Sequence, residues 1–304
     1  MLRRILLVSL SLAALPLICA LLVSLFNAWF PFSDSLSHFR GHMVVALAIF
    51  AVGFAFLKSC KLAIAMAASA IVAALSIYPA WPFLSPHAPL SHPLKLIQFN
   101  TLFSNPTPDR SLAWIKSEQP DFVMLQEVSS KTLAIYDGLA ETLPFGAFCR
   151  FAPVGGVAMR SKFPLTNQGC VEKQGMVWIR ADVNGTQISF ASVHLHWPWP
   201  FRQNSQIEWM QVSLKTIPRP VVLKGDFNAA AWSAAVARVA RASDTRVVPG
   251  LRFTLRMGPR PIGPVAFMPI DHVMMPDGFI VGDIAVGPAL GSDHLPVVVV
   301  FEVK

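Results

Sequence analysis

Val221-Val222-Leu223-Lys224-Gly225-Asp226-Phe227-Asn228 is a short apolar strand pattern that stops abruptly on polar side chains. The run Val221 to Leu223 has the composition of a strand buried on both faces. Gly225 breaks it, and Asp226 and Asn228 stand where the strand ends. Asp and Asn favour turns, so this stretch alone would read as a β-turn. The same two side chains can also orient a water molecule or hold an anion or a cation.

The arrangement recurs along the chain. Leu96-Ile97-Gln98 leads through Phe99 to Asn100, and Val123 to Gln126 leads to Glu127. Ser189 to Val193 leads to His194, Asp271-His272 opens another apolar run, and Ser292-Asp293-His294 precedes the last one. A lone Asn at a strand end is usually a turn residue, and a lone His is usually structural. Strand ends, however, are where a rigid sheet presents groups to a common cleft. Six such ends in one chain make a shared site the natural expectation.

Between these ends helix and strand signals mix. Thr107-Pro108 predicts an N-cap followed by proline at the first helical position, opening a helix through about Glu118. Spacing predicts helices over 129–142, 201–216 and 229–240. Strands are expected over 94–99 and 121–125, near Phe148, Val157, Val171, Val177 and Ile188, and over 270–274 and 297–303. This mixture predicts an α/β or α+β sandwich over 94–304. Internal repeats are not visible.

The first third reads differently. The chain has 304 residues, 54% hydrophobic and 14% charged, and the bias is concentrated before Lys95. Only Arg3, Arg4, Asp34, Arg40, Lys58 and Lys61 are charged there. Five of the 25 Lys+Arg and one of the 17 Asp+Glu lie in this part, leaving 20 against 16 beyond it. The net charge of +8 therefore divides equally, and +4 on the second part suits an anionic substrate or membrane surface. It excludes little else, since no Lys/Arg run forms a nucleic-acid stripe.

Ile5 to Phe26 is an uncharged run of 22 residues, long enough to cross a bilayer. Gly41–Leu57 and Leu62–Trp81 follow, separated by Lys58-Ser59-Cys60-Lys61, a tight charged hairpin. A membrane region of about three transmembrane helices is expected over 1–81, and a linker over 82–93. Two helices remain open because the second stretch is short, and a cleaved signal peptide is the alternative for the first. Cys19 follows Ile18, a poor fit to a lipoprotein site. With three helices, Arg3/Arg4 and Lys58/Lys61 face the cytoplasm, and the loop Asn27–Arg40 and the C-terminal domain face out. Tyr78, Trp81 and Phe83 then fall at the outer interface. Cys149 and Cys170 sit on neighbouring predicted strands. Outside the cytoplasm they could form a disulfide, the alternative being two buried thiols.

Taken together, Gln98-Phe99-Asn100, Leu125-Gln126-Glu127-Val128, Val193-His194-Leu195, Gly225-Asp226-Phe227-Asn228, Ile270-Asp271-His272 and Ser292-Asp293-His294-Leu295-Pro296 resemble the endonuclease/exonuclease/phosphatase superfamily. Gly156 to Pro164 looks like an internal strand-turn signature of that family. The resemblance runs from about Leu94 to the C-terminus. It implies a four-layer α/β sandwich of two packed mixed sheets with the site at one rim, and phosphoester hydrolysis with Mg²⁺ or Mn²⁺. An oxygen-rich set of Glu, Asp and Asn suits such a hard cation.

The same resemblance implies Glu127 as principal metal ligand, with Asn100 beside it and Asp293 contributing. Asp226 and Asn228 would orient the attacking water and hold the phosphate. Asp271 would hold His294, a base or phosphate-contacting group, and His194 would contact the phosphate or protonate the leaving oxygen. Some family members carry Asp two residues after the motif Asn. Here that position is Leu102, which favours one metal.

The expected substrate is a phosphodiester or phosphomonoester, lipid-like or nucleic acid. His196-Trp197-Pro198-Trp199-Pro200-Phe201 follows His194 and reads as a lipid-facing or substrate-stacking loop, or as packing beneath the sheet. Localisation at the cell (inner) membrane, with an extracytoplasmic or periplasmic catalytic domain, goes with the topology. No protein partner is expected. An extracytoplasmic nuclease and an inactive membrane-bound binding module on the same fold are the rival readings.

Overall fold

The computed structural model describes residues 1–81, 87–171, 173–257 and 265–303. Residues 82–86, part of the expected linker and including Phe83, lie outside them. Four helices come first: α1 (Leu2–Ser24), α2 (Pro31–Ser37), α3 (Arg40–Phe56) and α4 (Cys60–Ser76), closed by a 3₁₀ turn at Tyr78–Ala80. Then follow β1 (Leu94–Asn100), α5 (Pro108–Ser117), β2 (Phe122–Val128), α6 (Leu133–Gly138), β3 (Phe145–Ala152), β4 (Gly155–Ser161), β5 (Leu165–Val171), β6 (Met176–Val183) and β7 (Thr186–His194). The chain continues through α7 (Gln203–Thr216), β8 (Val221–Asp226), α8 (Ala234–Ser243), β9 (Arg246–Val247), β10 (Leu255–Met257), β11 (Val265–Met268), β12 (Asp271–Met275), β13 (Phe279–Val286) and β14 (Val297–Val303).

Two six-stranded sheets result, ordered β13-β14-β1-β2-β4-β3 and β5-β6-β7-β8-β12-β9. Each is mixed: β1 pairs parallel with β2 and β7 with β8, while the other pairings are antiparallel. The amphipathic helices α5 and α7 make the two parallel crossovers, because a parallel connection needs a covering element. One apolar core, including Leu96, Phe122, Met124, Phe190 and Val222, fills the space between the sheets. A second joins α7 and α8 to one sheet, and a third joins α5 and α6 to the other. The four layers expected from the sequence are therefore present. Phe122 and Phe190 stack across the middle, with ring centroids 4.0 Å apart.

Several local expectations are corrected. The helix expected over 129–142 is confined to Leu133–Gly138. Hydroxyls compete for the start: Thr132 Oγ1 accepts from the Ser129 amide and Ser129 Oγ from the Lys131 amide, at 2.9 and 3.1 Å. The helix expected from Ala229 begins at Ala234, because Ser233 is its cap and accepts from the Val236 amide. For Cys149 and Cys170, left open between a disulfide and two thiols, the structure shows the disulfide. They sit on β3 and β5, edge strands of different sheets, and a disulfide joins them across the sandwich with Cα atoms 5.3 Å apart.

In the first third, α1 is long and apolar enough to cross a membrane, and α2 with α3 passes the same test as a pair bent by 60°. The third expected span is the 17-residue helix α4. Helices α1, α3 and α4 bury Ala14, Leu21, Leu47, Phe54 and Ala73 against one another. Their outer faces carry exposed Leu12, Ile49, Phe56 and Ile64. Arg3 donates through Nε to the Leu57 carbonyl at 2.9 Å, which brings the N-terminus beside the α3–α4 turn. Arg3, Arg4, Lys58 and Lys61 thus gather at one end of the helices. At the other end Ile77 and Ala80 pack on Ala230 and Trp232 of the sandwich.

The inter-sheet disulfide closes a loop of 21 residues, which in the chain-entropy view is worth about 3 kcal/mol. Thiol titration of denatured, unreduced full-length protein should find two reactive thiols, Cys19 and Cys60, rising to four after reduction. Four before reduction would contradict the bridge.

Candidate active site

Strand register brings the polar strand ends together. In one sheet His194 lies beside Asp226, and Asp271 lies opposite Asp226 on the other side. In the facing sheet Asn100 pairs with Gln126. Glu127 reaches the same rim because β2 is irregular there: Leu125 pairs with Ala158 and Val128 with Gly156, so Gln126 and Glu127 together oppose only Val157. Such a bulge re-aims a side chain, and Glu127 has a left-handed φ of 56°. Gly155 makes room for it, since a Cβ there would come within 2.7 Å of the Val128 carbonyl oxygen. Gly225 serves Asp226 in the same way, because a Cβ would overlap the Val193 carbonyl of the neighbouring strand.

The side chains then form one network. Asn100 Nδ2 donates to Glu127 Oε1 at 3.1 Å and to Asp226 Oδ2 at 2.9 Å. His194 Nε2 is 3.6 Å from Asp226 Oδ2 and 3.9 Å from Glu127 Oε1. His294 Nε2 is also 3.6 Å from Asp226 Oδ2, while its Nδ1 meets Asp271 Oδ2 at 2.8 Å. The Asn228 amide donates to Asp226 Oδ1 at 2.8 Å, and its side chain donates to the Leu195 carbonyl. Asp293 is exposed at the rim, and its charge bears on Glu127. All eight residues expected from the sequence therefore meet at one cleft. Leu102, in a left-handed turn, donates its amide to Asn100 Oδ1 at 3.1 Å and adds no ligand.

Burial sets the electrostatics. It raises the Glu127 and Asp226 carboxyls, Asp226 to about 6. It lowers His194. For His294 burial alone would also lower the value, but Asp271 and Asp226 outweigh it and hold the ring up to about 10. Asp271 is lowered, because the charge and hydrogen bond of His294 outweigh its own burial. At neutral pH the cleft thus pairs an imidazolium on one side with a neutral imidazole on the other.

A divalent cation fits this donor set. Asp226, Asp271 and His294 offer ligand atoms within 4.8 Å of one another, yet both Asp271 oxygens are taken, by Gln98 at 2.6 Å and by His294. Glu127 is the better placed group. Burial raises its carboxyl, its Oε2 accepts from the Phe103 amide at 3.0 Å, and Asn100 and Asp226 lie beside it. Among the described residues His194 Nδ1 and Asn228 Oδ1 are buried without protein partners, as expected of groups that serve something bound.

Sequence reasoning gave no role to the layer underneath. Gln98 Nε2 donates to Gln126 Oε1 and to Asp271, and Gln126 Nε2 donates to Ser192 Oγ, so a polar chain crosses the inter-sheet core. Lys224, fully buried, braces the sheets by donating to the Leu96 and Val297 carbonyls. The signal was present: a glutamine or lysine inside a buried strand is tolerated only when paired. Phe151, whose ring meets those of His194 and His196, was also missed.

Among solved structures, an endonuclease/exonuclease/phosphatase from Beutenbergia cavernae is 19% identical, with TM-score 0.55 over 70% of this chain and 72% of that one. A truncated Caenorhabditis elegans TDP2 is 16% identical, with TM-score 0.55 over 69% of this chain and 97% of that one. A beta toxin from Staphylococcus aureus with bound magnesium ions is 15% identical, with TM-score 0.51 over 68% of this chain and 99% of that one. These likenesses establish the fold. No curated protein matches the chain. The model of the Endonuclease/Exonuclease/phosphatase family matches residues 97–294, every site position included, and the chain belongs to that family.

Proposed function

We propose that the protein is a membrane-anchored phosphoester hydrolase that uses one divalent cation, Mg²⁺ or Mn²⁺. The observation that carries this reading is the convergence of Glu127, Asn100, Asp226, His194 and His294 at one rim. The magnesium ions of the beta toxin support the choice of metal. The cation would be held by Glu127, with Asn100 beside it and Asp293 contributing. When bound it supplies Lewis-acid polarisation of the phosphoryl oxygen and neutralises developing charge.

The chain's own residues do the rest. Asp226, fixed by the Asn228 amide and by Asn100, orients the attacking water and accepts its proton. Added positive charge nearby would pull its raised value back down. His294, kept charged by Asp271, contacts a phosphate oxygen. Asp271 also fixes its orientation. His194 hydrogen-bonds the phosphate or the leaving oxygen.

The anchor is proposed as the region over 1–81, with 94–304 as the catalytic domain. The apolar outer faces of α1, α3 and α4 support membrane embedding, and Leu2–Ser24 alone is compatible with a signal sequence as well. The basic end at Arg3, Arg4, Lys58 and Lys61 favours the cytoplasm. The sandwich meets the opposite end, which supports a cleft outside the cytoplasm. A lipid-like phosphoester is the preferred substrate. Trp199 packs on Phe32 with centroids 6.2 Å apart, and Trp197, Trp199 and Phe201 are exposed on one loop, as suits aromatic rings at a bilayer interface.

Purified full-length protein should hydrolyse a generic phosphodiester with Mg²⁺ and lose the activity on chelation. His294→Ala and Asp226→Ala should each lower kcat at least ~10²-fold, the scale of a positioned proton-transfer or charge-stabilising group. Near-normal turnover by either folded variant would contradict the roles given.

A pH-dependent stability difference also follows. His294 is raised from 6.5 to about 10 on folding, so its stabilisation is complete below pH 6.5 and is lost as pH climbs towards 10. In chelated protein, denaturant unfolding should show the stability gap between wild type and His294→Gln shrinking across that window. A constant gap would refute the ion pairing.

A further inference from the structure

Residues 27–38 join the first two apolar stretches, and Asn27, Asp34 and the Ser37 carbonyl hydrogen-bond to the sandwich. Asp34 is 8% exposed. Its Oδ1 accepts from the Ala234 amide at 2.8 Å and its Oδ2 from the Ala235 amide at 2.9 Å. These are the first two amides of α8, which have no acceptor within the helix. Ser233 caps only the next one, the Val236 amide, at 3.1 Å. Asn27 Nδ2 and Ser37 Oγ also donate to Asp34 Oδ1, at 3.3 and 3.2 Å. The Trp232 indole donates to the Ser37 carbonyl at 2.6 Å, and Asn27 Nδ2 to the Trp232 carbonyl at 3.4 Å. A segment from the far end of the sequence therefore completes the start of a helix in the sandwich.

That helix start lies six residues beyond Asn228. At the near end of the run, Gln203 Nε2 donates to the Phe227 and Asn228 carbonyls, and His272 Nε2 lies 2.7 Å from the Ala229 carbonyl. The far end, Trp232 to Ala235, is held by residues 27–38. Asn228 has a left-handed backbone, with φ 46°, and its amide fixes Asp226. A loop in that conformation keeps it only while its surroundings determine it. If Asp34 were lost, the Ala234 and Ala235 amides at the positive end of α8 would lose their acceptor, and that end would keep its contacts at Trp232 and the Ser233 cap.

We propose that Asp34 is a positioning residue of the catalytic centre: with the Ser37 carbonyl it holds the run from Ala229 to Ala235, and through it Asn228 and Asp226. This rests on the hydrolase reading of the cleft. The N-terminal region is then a component of the catalytic unit and not a loose tether, and the cleft keeps a fixed height relative to the apolar helices.

The test uses full-length protein in detergent, with Mg²⁺ and bis(4-nitrophenyl) phosphate as a small soluble substrate that needs no membrane. Asp34→Ala should lower kcat on the order of 10- to 100-fold, the scale of small misplacements in a site, while KM changes by less than about twofold. Asp34→Asn, which keeps one oxygen acceptor, should recover part of the loss. Trp232→Phe removes the indole donor together with part of the buried ring; it should shift kcat in the same direction, and it keeps the test usable if Asp34→Ala does not fold. Amide hydrogen exchange, which needs no turnover, should show protection lost at Ala234 and Ala235 and the loss extending to Asn228, with β1 unchanged. Wild-type kcat in a folded Asp34→Ala protein would overturn the proposal, as would loosening that stops short of Asn228. Absence of hydrolysis by the wild type would instead overturn the hydrolase reading, with the exchange result still deciding whether the two ends are coupled.

Discussion

Asp271 is a carboxylate with no solvent exposure, set between two sheets, and the cleft above it depends on how that charge is matched. Removing such an ion from water costs several kcal/mol, on the order of what a small domain has to spare. The cost is offset only if each oxygen finds a donor. Gln98 reaches one from the facing sheet, and His294 reaches the other from the segment ahead of β14. The charge therefore ties three chain segments at one point. It also fixes which nitrogen of His294 faces Asp226 and keeps that ring protonated. The constraint that orders the rim is the one that prepares it for an anion.

The rest of the rim follows from the same economy of backbone geometry. Parallel pairing of β7 with β8 sets His194 beside Asp226, and antiparallel pairing of β12 sets Asp271 opposite. Glu127 is delivered from the facing sheet by a bulge that Gly155 permits. Rigid strands hold each group, so little reorganisation is needed when a charged ligand arrives. At the edge of the sandwich Cys149 and Cys170 staple the sheets, and beneath the site Lys224 braces them.

The sequence made the strand ends legible because each pairs an apolar run with an abrupt polar stop, a signal local to five or six residues. Asn100, Glu127, His194, Asp226 and Asn228 stand out in this way at the ends of apolar runs, and Asp271, Asp293 and His294 at the start of others. What it did not make legible is non-local. Nothing near Asp34 announces that its partners are 200 residues away, and the helix at Pro31–Ser37 was read as a loop. The start of α8 was misplaced because its alanines look helical from Ala229, whereas the cap is Ser233. The Cys149–Cys170 disulfide stays open from sequence alone, because strand order across a sandwich leaves no trace in spacing. For Gln98 and Gln126 the sequence shows that a buried partner is needed but not which one, since their partners lie on other strands, Asp271 and Ser192 across the core.

The central claim is that Glu127 leads a set of side chains able to hold one divalent ion. Direct binding of Mn²⁺ to full-length protein, followed by the loss of the free-ion paramagnetic resonance signal, tests it without reference to any substrate. One strong site is predicted in the wild type, abolished or greatly weakened in Glu127→Gln and retained in Phe151→Leu. Binding of equal strength and number in wild type and Glu127→Gln would contradict the account.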